Sequence, residues 1–341
     1  MSEALDQAAL GRLAGRLEDA LPGSGPVTLS TPERIFGGAS RQTFRFTASR
    51  AGEDHPLILR KDPAASLIDT ERKLEFAAYR SFAGTSVPVP AAVLLEEDPQ
   101  ILGSPFFVMG QVAGAAGTPF QADCYAPHST ALARQFFTHL GAIARPEPAG
   151  TPLVAVTGLP DPATVWQREL DYWAGVIAED SSEPQPIVLA AIRKLRRTPP
   201  PLPARLSIVH GDYRSGNFLH DGAGTITAIL DWEMAHVGDA HEDLAWALDP
   251  MWSHDPDQPL TGISRAEAIA LWEAASGLTF DPAAYGWWSL FAAVKGIAIW
   301  TSAGKAFATG ANPDLVNAWS AWYCTQMHDR LIAARLLEEA R

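Results

Sequence analysis

Ser207-Ile208-Val209-His210-Gly211-Asp212-Tyr213-Arg214-Ser215-Gly216-Asn217-Phe218-Leu219-His220 decides the reading of this chain, together with Ile229-Leu230-Asp231-Trp232-Glu233 just beyond it. Three β-rich runs are legible there, Leu206–Val209, Phe218–His220 and Thr227–Leu230, inside a region that is otherwise helical by pattern. Val209 ends the first run, and a tight Gly-containing loop presents Asp212. Asn217 opens the second run. Gly222 and Gly224 turn the chain back, so that Asp231 arrives near Asn217. Two carboxylates and an amide thus converge. Phosphoryl transfer asks for such a set: one carboxylate orients an acceptor hydroxyl and takes its proton, while an Asn and a second Asp hold Mg2+ against nucleotide phosphates. Either half alone reads as a plain turn or strand end; their order and separation together favour chemistry.

Upstream, short strands at Val27–Leu29, Thr43–Thr47, Pro56–Arg60, Ala92–Leu95 and Phe106–Met109, with one helix over 67–83, read as a small antiparallel lobe ending near Val112. A helix over 4–20 precedes them. Turns are expected at Gly37-Gly38, at Glu53-Asp54 and, solvated, at Glu96-Glu97-Asp98-Pro99. Gly110 to Gly117 reads as a hinge or linker. Beyond it the pattern predicts helices over 128–145, 162–178, 186–196, 241–249, 264–276, 285–306 and 313–340. In the first lobe, Gly37, Gly38 and Ser40 form a glycine turn whose backbone N–H groups can approach a phosphate, although a plain hairpin has the same look. Arg60 and Lys61 fall on opposite faces of their strand, and Glu71 and Glu75, one helical turn apart, could both face the sheet and pair with its cation. Met109 and Gln111 end the strand that would hold an adenine.

The segments His210–Leu219 and Ile229–Glu233 resemble the aminoglycoside phosphotransferase family of small-molecule kinases. Gly238-Asp239 and Glu242-Asp243-Leu244-Ala245-Trp246 add similarity to a branch that includes the kinase domain fused to some acyl-CoA dehydrogenases. The resemblance implies a bilobal α+β fold of protein-kinase type: an antiparallel-sheet nucleotide lobe over 1–112 and a larger, mainly helical catalytic and substrate lobe over 113–341. It implies Asp212 as the catalytic Asp with His210 bracing its loop, Asn217 and Asp231 as ligands of Mg2+, Arg60 as the cation that grips nucleotide phosphates with Glu75 favoured over Glu71 as its partner, and ATP, with GTP as the alternative, as phosphoryl donor. Arg41 stands where the family usually shows Asn.

The rest of the chain narrows the function. Its 341 residues suit about two domains at roughly 150 residues each. A net charge of −13 argues against broad binding to nucleic acid or anionic membrane. Cys124 and Cys324 offer neither a zinc spacing nor a disulfide framework, so a reducing cytoplasm is the default. The apolar run Tyr285 to Trp300 is short for a membrane span and is interrupted by Lys295; the acidic N-terminus does not read as a signal peptide. The basic stretch Arg193 to Arg197 reads as a solvated helix end, and Trp287-Trp288 and Trp319/Trp322 as helix packing. The expected partner is a small hydroxylated molecule, with the residues leaving open an aminoglycoside, a hydroxyacyl-CoA or an amino sugar. Two other readings compete: a pseudokinase that holds nucleotide without turnover, and a protein kinase, against which Trp232-Glu233 stands where protein kinases carry Phe-Gly.

Overall fold

Helix α1 (Gln7–Ala20) starts at Asp6, whose carboxylate accepts the Ala9 N–H at 2.6 Å, and it buries Leu13 and Leu17. The computed structural model describes residues 6–35, 42–61, 72–118, 121, 123–253, 255 and 257–338. Behind α1 come β1 (Val27–Leu29), β2 (Glu33–Ile35), β3 (Gln42–Arg50), β4 (Glu53–Lys61), α2 (Arg72–Ser81), β5 (Ala92–Glu96), the short α3 (Pro99–Leu102) and β6 (Phe106–Gly110). The strands form one antiparallel sheet in the order β1-β3-β4-β6-β5, with β2 also on β3. Alternation sorts its two faces: Phe44, Phe46, Leu57 and Leu59 pack with the leucines of α1, whereas Ile58, Phe107 and Met109 join the core that holds α2.

Several local expectations change. The β3–β4 turn lies at Ala51-Gly52, with φ of 52° and 83°, while Glu53 and Asp54 pair with Arg50 and Ser49 inside the ladder. Two left-handed residues in a two-residue loop match the right-handed twist of the strands, which a turn at Glu53-Asp54 would not supply. Strand β2 was hidden by its exposed, mixed sequence. Glu96 is no part of a solvated turn: it is buried and accepts from Arg16 Nε at 2.5 Å and the Asp98 N–H at 3.0 Å.

The expected linker is tied down as well. β7 (Ala115–Ala116) pairs with β9 (Phe218–His220), and Thr227 Oγ1 donates to the Ala113 carbonyl at 2.8 Å. The remaining elements are α4 (Ser129–Ala144), α5 (Pro152–Thr157), α6 (Val165–Asp180), α7 (Pro186–Arg197), β8 (Ser207–Val209), β10 (Ile226–Ile229), β11 (His236–Gly238), α8 (Ala240–Ala247), α9 (Arg265–Ser276), α10 (Pro282–Ala308) and α11 (Leu315–Glu338). β9 pairs with β10, and β8 with the unforeseen β11. α4 lies close on α9 at Gly141, where a Cβ would stand 2.6 Å from the Trp272 carbonyl oxygen. α6, α7, α8, α10 and α11 share a second core that includes Trp287 and Trp288. Trp319 and Trp322 do not pack as expected: they are 39% and 64% exposed on the outer face of α11. Among the described residues no helix is long and apolar enough to cross a membrane.

Candidate active site

His236 pairs with Val209 at the end of the β8–β11 ladder, so the loop that follows is held by side chains instead. Asp243 of α8 accepts the His210 N–H at 2.6 Å on one oxygen and the Gly211 N–H at 2.9 Å on the other. Lys295 of α10 donates to the Gly211 carbonyl at 2.5 Å. Gly211 has φ 85°, and a Cβ there would run into the Met234 carbonyl, so glycine is required. The His210 ring accepts the Asp212 N–H on Nδ1 at 3.1 Å, which puts its proton on Nε2, donated to the Leu230 carbonyl at 2.9 Å. Burial pushes its pKa down to about 4 and keeps it neutral. Both ring nitrogens are engaged by backbone. The imidazole ties this loop to the residue before Asp231.

Asp212 is surrounded by donors. Trp246 Nε1 reaches Oδ1 at 2.8 Å, Asn217 Nδ2 reaches Oδ2 at 2.7 Å, and Arg214 Nε lies 3.2 Å from each oxygen. Asn217 Nδ2 also donates to the Asp212 carbonyl at 2.8 Å, which uses the amide donors and leaves the carbonyl Oδ1 as the side chain's acceptor atom. The Arg214 guanidinium lies 5.0 Å from the centroid of the Trp252 ring.

The Leu230 N–H donates to the Asn217 carbonyl at 2.8 Å, which brings Asp231 beside Asn217. Asp231 has φ 68° and ψ 53°, a left-handed conformation unusual for a residue with a side chain, and its N–H donates to the Tyr79 hydroxyl at 3.2 Å. The next residue, Trp232, is fully buried between Phe82 of the sheet-bearing half and His210, with centroids at 4.8 and 4.5 Å. From β4, Arg60 crosses to this point: Nη1 lies 2.5 Å from Glu75 Oε1 and Nη2 lies 2.9 Å from Asp231 Oδ1. Its Nε is buried without a hydrogen-bond partner among the described residues. Glu75 therefore pairs with Arg60; Glu71 lies outside the described residues.

Gly37, Gly38, Ser40 and Arg41 also lie outside the described residues. Met109 sits buried in β6 opposite Ile58 and Ala92. The Gly110 N–H donates to the Ala91 carbonyl at 2.8 Å and the Gln111 N–H to the Pro56 carbonyl at 2.9 Å, so both amides are committed to the protein. Sequence reasoning singled out neither Trp246 nor Asp243 individually, although both lie in the Glu242–Trp246 motif. Lys295 was noted only as an interruption of an apolar run. That interruption is the signal, because a Lys inside an apolar helix must find a buried anion. The ammonium lies 3.0 Å from Glu242 Oε1, and Glu242 Oε2 lies 3.0 Å from His236 Nε2, with Glu169 3.8 Å away. Burial opposes charge on His236, but Glu169 and Glu242 outweigh it and raise its pKa to about 9. The donor atoms of Glu169, His236 and Glu242 lie within 4.8 Å of one another, and Lys295 already supplies positive charge there.

Known proteins resemble this chain in sequence and in fold. Mouse acyl-CoA dehydrogenase family member 10 is 28% identical over 203 residues, covering 57% of this chain but 18% of its own length. The chain thus spans less than a third of that relative. A provisionally named aminoglycoside phosphotransferase from Ralstonia eutropha superposes with a TM-score of 0.75 at 20% identity, over 97% of this chain and 98% of its own. A thermostable mutant of aminoglycoside phosphotransferase APH(4)-Ia, in ternary complex with AMP-PNP and hygromycin B, superposes with a TM-score of 0.58 at 16% identity, over 90% and 95% of the two chains. The fold is thus the kinase-like one of the aminoglycoside phosphotransferases. The model of the phosphotransferase enzyme family matches residues 31–288, a span holding both the sheet with Arg60 and the loop with Asp212, and the chain belongs to that family.

Proposed function

We propose that this protein transfers the γ-phosphoryl group of ATP to a hydroxyl of a small molecule, with the nucleotide seated between residues 1–112 and 113–341. One observation carries the reading: Arg60 of the sheet meets Asp231 of the helical half at 2.9 Å, next to the Asp212–Asn217 pair. A cation on one wall and two carboxylates with an amide on the other suit a metal-bound polyphosphate between them. Asn217 Oδ1 and the Asp231 carboxylate are hard oxygen donors of the kind Mg2+ takes, and they would hold it. The metal supplies charge neutralisation on the phosphates. Arg60, with its unpartnered Nε, would hold a phosphate oxygen. Asp212 orients the acceptor hydroxyl and takes its proton.

For the acceptor, a hydroxyacyl-CoA or related metabolite is favoured over an antibiotic. Asp212 and Arg214 offset each other's charge and meet Trp246 and Trp252 beyond their own loop, an aromatic setting in which this pair offers a polycation no excess of negative charge. The similarity to acyl-CoA dehydrogenase family member 10 points the same way. The test is ADP formation from Mg-ATP across hydroxyacyl-CoAs, aminoglycosides and amino sugars, repeated with GTP. Acceptor-dependent ADP that disappears in Asp212→Asn is expected. Nucleotide binding without turnover on any acceptor favours the pseudokinase instead.

A further inference from the structure

We propose that Trp246 is a positioning residue for phosphoryl transfer: its indole N–H fixes the orientation of the Asp212 carboxylate, and the Lys295 ammonium strengthens that hold. This rests on the phosphotransferase reading above. A buried indole N–H usually finds a partner. Trp232 and Trp287 give theirs to the backbone carbonyls of Ile229 and Leu195, Trp288 gives its own to Asp239 Oδ2, and those of Trp252 and Trp272 have none among the described residues. Trp246 alone among these spends its donor on the carboxylate of the Asp212 loop, at 2.8 Å.

The helix that carries it has a double grip on that loop. Asp243 and Trp246 lie three residues apart on α8, on one face. Asp243 holds the loop's backbone through two N–H groups, and Trp246 holds its functional side chain. Lys295 Nζ sits 5.5 Å from the centroid of the Trp246 ring and also bonds the Gly211 carbonyl. A cation over an indole face draws electron density from the ring and makes its N–H a stronger donor.

The carboxylate has about four acceptor sites. Trp246 and Asn217 occupy one on each oxygen at short distance, whereas Arg214 makes two longer contacts at 3.2 Å from a side chain 25% exposed. Arg214 is the donor that yields to an entering hydroxyl; Trp246 and Asn217 stay. Without Trp246 the terminal torsion of Asp212 has a broad, two-fold well and only Asn217 to fix it.

The test uses the purified full chain, water as the acceptor and γ-labelled Mg-ATP in single turnover, with rates taken per titrated nucleotide site so that misfolded molecules do not count. Trp246→Phe keeps a ring and loses the N–H. Its Mg-ATP affinity is expected to stay within about twofold while the rate falls roughly 10–100-fold, the scale of a small misalignment. Trp246→His returns a ring N–H in a smaller, more polar ring and is expected to exceed Phe in rate; a packing role gives the reverse order. In an Asp212→Asn background, Trp246→Phe is expected to cost nothing further. Trp272→Phe, at an equally buried indole whose N–H has no partner among the described residues, is expected to lose thermal stability and keep its rate. If Trp246→Phe titrates no sites, Trp246→His carries the comparison: no additional loss over Asp212→Asn supports the proposal, and an additive loss overturns it. A wild-type rate in Trp246→Phe, or an equal fall in the Phe and His variants, overturns it while leaving the phosphotransferase reading intact. A wild-type chain that neither binds nor hydrolyses Mg-ATP overturns both.

Discussion

Asp212, Asn217 and Asp231 were legible as a set because a short loop and one hairpin bring them together, so chain spacing alone reports their proximity. Asp243 and Lys295 were not, because the loop atoms they hold lie far away in sequence, as with Lys295 and Gly211 at a separation of 84. Such contacts depend on how α8 and α10 pack. At this scale, Asp212→Asn is nearly isosteric and is expected to keep ATP affinity and melting temperature while transfer falls by roughly 10²–10⁴, measured by single-turnover kinetics. Arg60→Ala removes the Nη1 contact to Glu75, whose side chain has 0% exposure. A fall of about 3–5 kcal/mol in urea unfolding is expected, the scale for breaking a buried pair at one partner, and a smaller fall when Glu75→Gln is made as well, because the second change removes the charge that lost this counter-charge. Equal stability of the single and double variants would show that the pair carries no such coupling.

At the level of elements, the long helices were read well, since their apolar spacing is dense and some carry caps such as Asp281 at the start of α10. Short pieces were not. β2, β7 and β11 have 3, 2 and 3 residues, too few for any periodicity to show, and are strands only because a partner stands beside them. The β3–β4 turn was misplaced because Ala51 is not a residue that signals a left-handed turn. That mismatch is testable. Asn tolerates positive φ better than Ala, so Ala51→Asn is expected to stabilise the protein by up to about 1 kcal/mol, read as a higher urea midpoint at unchanged slope. A lower midpoint would mean that the turn is not left-handed in solution.

Across the whole molecule, the two halves are joined by more than a tether. The Ile229 N–H donates to the Pro88 carbonyl at 2.7 Å and Arg60 reaches Asp231, while the segment after Val112 is itself held to the second half by β7 pairing with β9. Beneath the Asp212 loop, the cluster of buried Glu242 and Lys295 with half-buried His236 and Glu169 links α6, β11, α8 and α10. His236 has its pKa raised from 6.5 to about 9, so it favours folding when protonated. That contribution is complete below pH 6.5 and is lost as pH rises through about 9. The melting temperature is expected to fall over this interval in the wild type and to fall less in His236→Gln; parallel curves would exclude His236 as the cause.

Mg2+-linked nucleotide binding across the cleft decides the rest. Calorimetric titration of ATP, with and without Mg2+, into the wild type and Asp231→Asn measures it directly. One site per chain is expected, tightened strongly by Mg2+ in the wild type and scarcely at all in Asp231→Asn, because an amide does not replace a carboxylate facing a divalent cation. Absence of ATP binding, or an equal response to Mg2+ in both proteins, would contradict the placing of metal and phosphates between Arg60, Asn217 and Asp231.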